Sequence, residues 1–316
     1  MKPVLYLVVP CYNEKEALPI SSSVFLSKLS ELKNAEIISG KSKILFVDDG
    51  SSDGTYNIIS DLAKENSCVC ALKLSRNRGH QNALFAGLME AKGRCDIAVS
   101  VDCDGQDDIN AVDEMIKCYL DGCDIVYGVR KNRKSDSAFK RGTARLFYKL
   151  LKLLGAQTVY DHADYRLVSA KVLEALGEYK EVNLYLRGMM SLVGFKSTCV
   201  YYDRFPRVAG KSKYSLGKMI SLALDGITSF TVKPIRIITA VGFIIAAVSF
   251  VGIIWSVISR LTGNAVGGWA STVSIICFLG GIQILSIGVI GEYIGKIYLE
   301  TKRRPRYIID EKINMD

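Results

Sequence analysis

The sequence predicts an α/β fold, a mainly parallel sheet flanked by helices, with an apolar helical hairpin behind it. Three observations predict this. Short apolar runs alternate with stretches of helical spacing over residues 1–128. Polar residues gather where the apolar runs stop. Two charge-free stretches, Ile237–Ile258 and Trp269–Ile290, then follow, each about the ~20 residues that a bilayer crossing requires.

Taken in order, Val4–Val9 is apolar throughout and ends at Pro10, the pattern of a strand buried on both faces. It is too short for a signal peptide and has no cleavage site. Further strand runs are Ile44–Val47, Ala71–Leu74, Ile97–Val101 and Asp124–Tyr127. Helical patterns separate them at 14–33, 54–66, 79–91 and 109–121. Ser52 and Asp53 before Gly54 mark one helix start, and Asp108 is placed to cap another. Strands alternating with helices imply right-handed crossovers and a mainly parallel sheet.

Four of these strands run into polar segments: Pro10-Cys11-Tyr12-Asn13-Glu14, Asp48-Asp49-Gly50-Ser51-Ser52-Asp53-Gly54, Ser75-Arg76-Asn77-Arg78-Gly79 and Asp102-Cys103-Asp104-Gly105-Gln106. Carboxyl ends of strands in an open α/β sheet converge on one crevice, where ligands bind. The last segment is the most informative. Asp is a poor strand former, and two carboxylates with an amide oxygen suit Mg²⁺ or Mn²⁺, which typically take one or two carboxylates plus substrate phosphates. A lone D-x-D has a bland alternative, a solvated turn with capping acids. Four polar strand ends favour a shared site.

Residues 130–233 are mixed. Arg130–Arg141 is basic, Phe139–Leu154 has helical spacing, Tyr160–Val168 follows, and a helical stretch covers 169–177. Within 204–236, Leu216, Met219, Ile220, Ala223, Leu224 and Ile227 share one helical side near Lys211, Lys213 and Lys218, as an interfacial amphipathic helix would have them; an ordinary surface helix fits equally. The organisation expected is a catalytic domain over 1–203, juxtamembrane helices over 204–236, a hairpin over 237–295 with spans at 237–258 and 269–290, and a basic tail over 296–316. Lys233 and Arg236 precede the first span, and Lys296, Lys302, Arg303, Arg304 and Arg306 follow the second. The linking loop carries only Arg260. The positive-inside rule then puts both termini and the α/β domain in the cytoplasm, as a multi-pass protein of the cell (inner or plasma) membrane.

The net charge is +9, with basic residues crowded at 130–152, 204–236 and 302–306. They are not interleaved with aromatics as on a single-strand-binding surface, which argues against nucleic acid; clusters beside apolar helices point to phosphate headgroups. Nine cysteines form no C-x-x-C pair, consistent with free thiols in a reducing compartment. His80, at a helix start, reads as structural or nucleotide-adjacent rather than metal-binding. His162 lies two residues from Asp164, where a structural role is favoured over contact with an acceptor. Tyr201-Tyr202 reads as packing.

Together, Val9-Pro10-Cys11-Tyr12-Asn13-Glu14, Val47-Asp48-Asp49-Gly50-Ser51-Ser52-Asp53-Gly54 and Asp102-Cys103-Asp104-Gly105-Gln106 resemble the inverting glycosyltransferases of family 2, with the GT-A fold. Asp164-Tyr165-Arg166-Leu167, then Arg207-x-x-Gly210-x-Ser212-Lys213-Tyr214, then a hairpin, are similar to the polyprenyl-phosphate glycosyltransferases, which include dolichol-phosphate mannose synthase and the bactoprenol glucosyltransferases of O-antigen modification. The resemblance covers nearly the whole chain, in order. It implies transfer of a sugar from a nucleotide-sugar, UDP-glucose foremost, to a membrane polyprenyl (undecaprenyl) phosphate. It implies that Pro10, Tyr12, Glu14 and Asp48 hold the base and ribose with Asp49 close by. Asp102, Asp104 and Gln106 would hold the metal and its diphosphate, and Arg207 and Lys213 would close over the nucleotide. Asp164 would stand beside the acceptor, although this chain has Ala163-Asp164-Tyr165 where bacterial relatives often have Gly-Asp-Phe.

A phosphate acceptor needs little help from a base, because its second pKa is near ~6 and it is largely dianionic at neutral pH. Asp164 is therefore expected to orient the acceptor or nearby basic groups. The harder task is to bring two anions together. A divalent ion on Asp102 and Asp104 would stabilise charge on the leaving diphosphate, and Arg130, Arg133, Lys140 and Arg141 are candidates to neutralise the acceptor; a solvated helix start is the alternative for that basic run. Other donors (UDP-galactose, UDP-GlcNAc, GDP-mannose) remain open. A processive polysaccharide synthase would show a Q-x-x-R-W element, whereas the tryptophans here are Trp255 and Trp269, in or beside the hairpin. A non-catalytic nucleotide-sugar-binding protein would not need intact Asp102, Asp104, Asp164 and Lys213. Two short spans leave few lipid contacts per chain, which favours a homo-oligomer.

Overall fold

The computed structural model describes residues 2–131, 162–182, 184, 186–205, 232–262 and 268–315. The segments carrying Arg133, Lys140, Arg141, Arg207 and Lys213 lie outside the described residues, as do most of 204–236 and the side chain of His162.

Five strands alternating with four helices appear where the sequence places them: β1 (Leu5–Cys11), α1 (Leu18–Asn34), β2 (Lys43–Asp48), α2 (Thr55–Glu65), β3 (Val69–Leu74), α3 (His80–Ala91), β4 (Ile97–Ser100), α4 (Ala111–Leu120) and β5 (Ile125–Arg130). Then come β6 (His162–Ser169), α5 (Ala170–Glu178), α6 (Leu186–Leu192), β7 (Ser197–Tyr202), α7 (Lys233–Leu261), α8 (Trp269–Lys302) and β8 (Ile309–Ile313). Helix α1 starts later than its apolar spacing suggests. Glu14 closes a turn onto Ala17 and Leu18 first, and Pro19 suits the first turn, where its missing N–H is not needed.

The eight strands form one sheet in the order β7-β5-β6-β4-β1-β2-β3-β8. It is parallel through β4-β1-β2-β3. Both flanks are mixed: β6 runs antiparallel to β4 and β5, and β8 antiparallel to β3. Strand order reverses about β1, with β2 and β3 laid to one side and β4 to the other. The carboxyl ends of β1 and β4 therefore flank the topological switch point, where such sheets bind ligands.

Period-two alternation divides the core. Leu5, Leu7, Val9 and Cys11 pack with Phe25, Leu29, Ile59, Met115 and Ile116 of α1, α2 and α4. Tyr6 and Val8 pack on the other face with α3, α5 and α6. Pro10 is tolerated inside β1 for a positional reason. Val4 and Val8 accept hydrogen bonds from residues 96, 97 and 101, so even-numbered residues of β1 face β4. Pro10 stands beyond the last β4 pairing, Val8 with Ser100, where no donor is required. Helix α3 lies very close to the sheet. A Cβ on Gly87 would come within 2.4 Å of Val8 Cγ1 and 2.8 Å of Val47 Cγ2. That seating holds His80, the first residue of α3, at the ligand-binding edge.

Helices α7 and α8 have 29 and 34 residues. Their segments Pro234–Gly252 and Phe278–Lys302 are long and apolar enough to cross a membrane, with mean hydropathy 2.2 and 1.4 and neither buried against protein. At 1.5 Å per residue α8 is about 51 Å long, well beyond a ~30 Å hydrocarbon core.

The expected basic tail behaves differently. The helix continues to Lys302, and Ile309–Ile313 returns to the sheet as edge strand β8. The return is firmly fastened. Glu300 Oε2 accepts from Val182 N at 2.9 Å, Arg306 donates to the Tyr179 carbonyl and its guanidinium lies 4.4 Å from the Phe85 ring centroid. Asn314, at φ +58°, donates to Val69 O, while its own carbonyl accepts from Lys43. Met315 is buried. The strand eludes pattern reading because Ile-Asp-Glu-Lys-Ile is charged in the middle, a common protection for a sheet edge. Deleting residues 307–316 removes the partner of β3 and the burial of Met315, itself worth about 2 kcal/mol. A loss on the order of 3 kcal/mol is expected, a fall in melting temperature of about 6–12 °C; an unchanged melt of the truncated protein would contradict the docking.

Candidate active site

The first two polar strand ends are zipped together. Asn13 takes a left-handed φ of +51°, which Asn tolerates. Its N–H donates to Ser51 Oγ at 3.0 Å, and its Oδ1 accepts from Ser52 N at 2.9 Å. Glu14 N donates to Thr55 Oγ1 and Lys15 N to Asp53 Oδ2. Asp53 Oδ1 in turn accepts from Thr55 N and starts α2. Tyr12 projects from this shelf, 40% exposed.

Asp48 and Asp49 lie beneath it, both buried. Asp48 Oδ2 accepts from Ser51 N at 3.1 Å, whereas Oδ1 is buried without a partner among the described residues. Burial raises its pKa against the opposing Ser51 bonds and the charge of Lys73. Asp49 is committed: Oδ1 accepts from Arg78 N at 2.7 Å and Oδ2 from Gly79 N at 2.9 Å. It thus shapes the β3–α3 loop, and reaches any nucleotide through that loop. Gly50, at φ +66°, passes so close that a Cβ would lie 2.5 Å from Arg76 C.

At the end of β4, Asp102 is partly exposed and Asp104 is buried, its Oδ1 accepting from Gln106 N at 3.1 Å. The Gln106 side-chain oxygen accepts from Arg204, and its Nε2 donates to Phe205 O. Asp107 is also buried. Its Oδ1 accepts from Tyr202 Oη at 2.6 Å and lies 3.8 Å from Arg130 Nη2. Burial, then the charge of Asp102, pushes the Asp107 carboxyl up to about 6. Tyr202 packs edge-on to Tyr165, with ring centroids 5.1 Å apart, whereas its neighbour Tyr201, also read as packing, points outward and is 57% exposed.

The most densely charged point is Asp164 on β6. Its Oδ1 accepts from Arg166 Nη2 at 2.5 Å and from Arg187 Nε at 3.2 Å. Its Oδ2 accepts from Arg187 Nη2 at 3.1 Å and lies 3.5 Å from His80 Nε2. The same His80 nitrogen is 3.7 Å from Asp102 Oδ1, so the imidazole spans the two acids. Burial alone would raise the Asp164 pKa. The Arg187 charge, the His80 hydrogen bond and Arg166 together hold it well below the carboxylate range. Burial would lower the His80 pKa, but Asp164 and Asp102 outweigh it and lift it to about 9.

Comparisons with known proteins identify the family. The glycosyl transferase family 2 profile matches residues 6–177, and that of the GtrB C-terminal hairpin matches residues 233–297. The chain belongs to glycosyltransferase family 2. It is 50% identical to an uncharacterised glycosyltransferase of Bacillus subtilis (strain 168), YkoT, over 98% of this chain and 92% of that one. It is 42% identical to the prophage bactoprenol glucosyl transferase homolog of Escherichia coli (strain K12), covering 96% and 97%, and 42% identical to the bactoprenol glucosyl transferase of Shigella phage SfX, covering 97% and 98%. Among solved structures, mannosyl-3-phosphoglycerate synthase from Rubrobacter xylanophilus matches with a TM-score of 0.47 and 13% identity over 71% of each chain.

For a glycosyltransferase the donor set at Asp102 and Asp104 is chemically suited to a hard divalent cation, since two carboxylates leave positions for diphosphate oxygens and water. No group of three His, Cys, Asp or Glu suited to a metal occurs among the described residues. Gln106 fits the expected ligand set less well, because its oxygen is engaged by Arg204. Arg130, expected at the acceptor, lies 3.8 Å from Asp107 and donates to Tyr202 at 3.4 Å. Sequence reading assigned no role to Arg166 or Arg187. A charged residue inside the apolar strand Tyr165–Val168 was a usable signal, because a buried guanidinium requires a partner. Arg187, beside Leu186 in a short helix, offered none.

Proposed function

We propose that this glycosyltransferase moves glucose from UDP-glucose to undecaprenyl phosphate at the cytoplasmic membrane face, inverting the anomeric centre. The observation that carries the reading is the union, in one fastened body, of a nucleotide-type crevice at the β1/β4 switch point with an apolar helix, α8, whose far end is bolted to the same sheet. Relatives named bactoprenol glucosyl transferases, aligned over almost their full lengths, support the glucosyl donor and the lipid acceptor. The basic residues flanking the hairpin support cytoplasmic placement of the domain and of both termini.

In this reading Tyr12 and Glu14 line the base and ribose end, and the orphaned Asp48 Oδ1 gains a donor from the nucleotide. Leaving that atom unpaired costs about 1–3 kcal/mol, an incentive to bind. Asp102 and Asp104 would hold Mg²⁺ or Mn²⁺, which would supply charge stabilisation for the diphosphate. An acceptor phosphate oxygen forms the new bond to C1 as the C1–diphosphate oxygen bond breaks, and UDP leaves with the electron pair. The acceptor is already largely dianionic at neutral pH, so no strong base is needed. Asp164, held ionised, serves to fix Arg187 and His80.

The test is a screen of labelled nucleotide-sugars against undecaprenyl phosphate with the detergent-solubilised enzyme. Lipid-linked label from UDP-glucose, abolished by a chelator and by Asp102→Ala, is expected. Label from GDP-mannose or UDP-GlcNAc alone would replace the donor, and none from any donor would sink the reading.

A further inference from the structure

Sequence reading places acceptor recognition in the basic run that begins at Arg130, whose guanidinium lies 3.8 Å from Asp107 and donates to Tyr202 at 3.4 Å. The groups gathered on Asp164 offer a second seat. One carboxylate there faces two guanidiniums, which stay charged at any working pH. Arg166 is 1% exposed and spent inside the protein, between Asp164 and the Leu186 carbonyl. Arg187 is more open: its guanidinium grips Asp164 by two nitrogens, it has a further interaction, and its side chain is 31% exposed. Its backbone is fixed as well, because Leu186 N donates to Gln81 Oε1 at 3.0 Å, tying the first turn of α6 to that of α3.

Position relative to Asp102 indicates which anion this cation meets. His80 touches both Asp102 and Asp164, and Arg187 lies one contact further along. Displacement with inversion requires the attacking oxygen to approach C1 from the side opposite the leaving diphosphate. A cation near the reacting centre, but a step away from the diphosphate carboxylates, meets that requirement. We infer that Arg187, aimed by Asp164, is a catalytic residue that binds the acceptor phosphate and brings its oxygen to the sugar. The inference rests on the proposed phosphate acceptor and adds the residue that recognises it.

Removing a charge-assisted hydrogen bond typically costs about 1.5–3 kcal/mol, roughly 10- to 100-fold. Arg187→Ala is therefore expected to raise KM for undecaprenyl phosphate by that factor, with KM for the nucleotide-sugar changed less than about twofold. Arg187→Lys, which keeps the charge but loses the fork, should recover part of the loss. If Arg187→Ala melts below the wild type, Arg187→Gln, which retains a donor for Asp164, carries the same expectation. An unchanged acceptor KM, or equal rises in both KM values, overturns the inference. Wild-type transfer to undecaprenyl phosphate is measured alongside: its absence counts against the proposed function, whereas normal wild-type transfer with a normal acceptor KM in the variant counts against Arg187 alone.

Discussion

Asp164→Asn is expected to lower turnover about 100- to 1,000-fold, by the same factor at pH 6 and pH 8. The size follows from the misplacement of Arg187 and His80 once the carboxylate that aims them is gone, since a shift of about 1 Å in a positioned group can cost about 100-fold. The flat pH dependence follows from the direction of the shift. A carboxyl held well below its ordinary value is ionised throughout this range and does not titrate. A general base works best with a pKa near the operating pH, which Asp164 does not have. Were it the base, the variant would fail chiefly at pH 6, where about half the acceptor carries a proton, and would retain turnover at pH 8. Stability follows the same logic. A depressed pKa adds stability that is present above the unfolded value near ~3.9 and lost as pH falls through the folded one. The difference in melting temperature between wild type and Asp164→Asn should therefore be large at neutral pH and shrink in acid.

Gly50→Ala is the second large effect. The position needs φ +66°, and the new methyl would lie 2.5 Å from Arg76 C, 2.6 Å from Asn77 N and 2.8 Å from Arg76 Cα. Left-handed backbone costs a non-glycine residue about 1–2 kcal/mol, and overpacking adds about 1–3 kcal/mol. The obstacle is backbone, so no rotamer change relieves it. A loss of about 3 kcal/mol is expected in thermal or denaturant unfolding. Donor KM should rise as well, because the displaced segment is the one that Asp49 clamps through Arg78 and Gly79. A variant with wild-type stability and donor KM would show that the loop gives way freely.

The parts of this molecule that were legible in sequence are those with strong local physics. The alternation of β1 to β5 with α1 to α4 is carried by continuous apolar runs and helical spacing, and the polar strand ends by their contrast with those runs. Asp102 and Asp104 announced themselves as acids at a strand end. The site beyond them is made of long-range contacts. Arg187 meets Asp164 across 23 positions of chain, and Tyr202 meets Asp107 across 95. Neither partner carries a local pattern that names the other. Asp49 looked like a ligand residue from its place in the motif, and only the geometry reveals that both its oxygens are spent on the neighbouring loop. Strand β8 was hidden for a different reason: its charged middle, which keeps a sheet edge from aggregating, also removes the apolar signature of a strand.

Direct, inverting transfer onto a lipid phosphate would be read from the anomeric configuration of the product. UDP-glucose is α-linked. Incubated with the solubilised enzyme, a divalent cation and undecaprenyl phosphate, it should yield β-linked glucosyl undecaprenyl phosphate, with one UDP released per lipid consumed and none without the lipid. An α-linked product, or UDP and free glucose released equally well without the acceptor, would contradict the account.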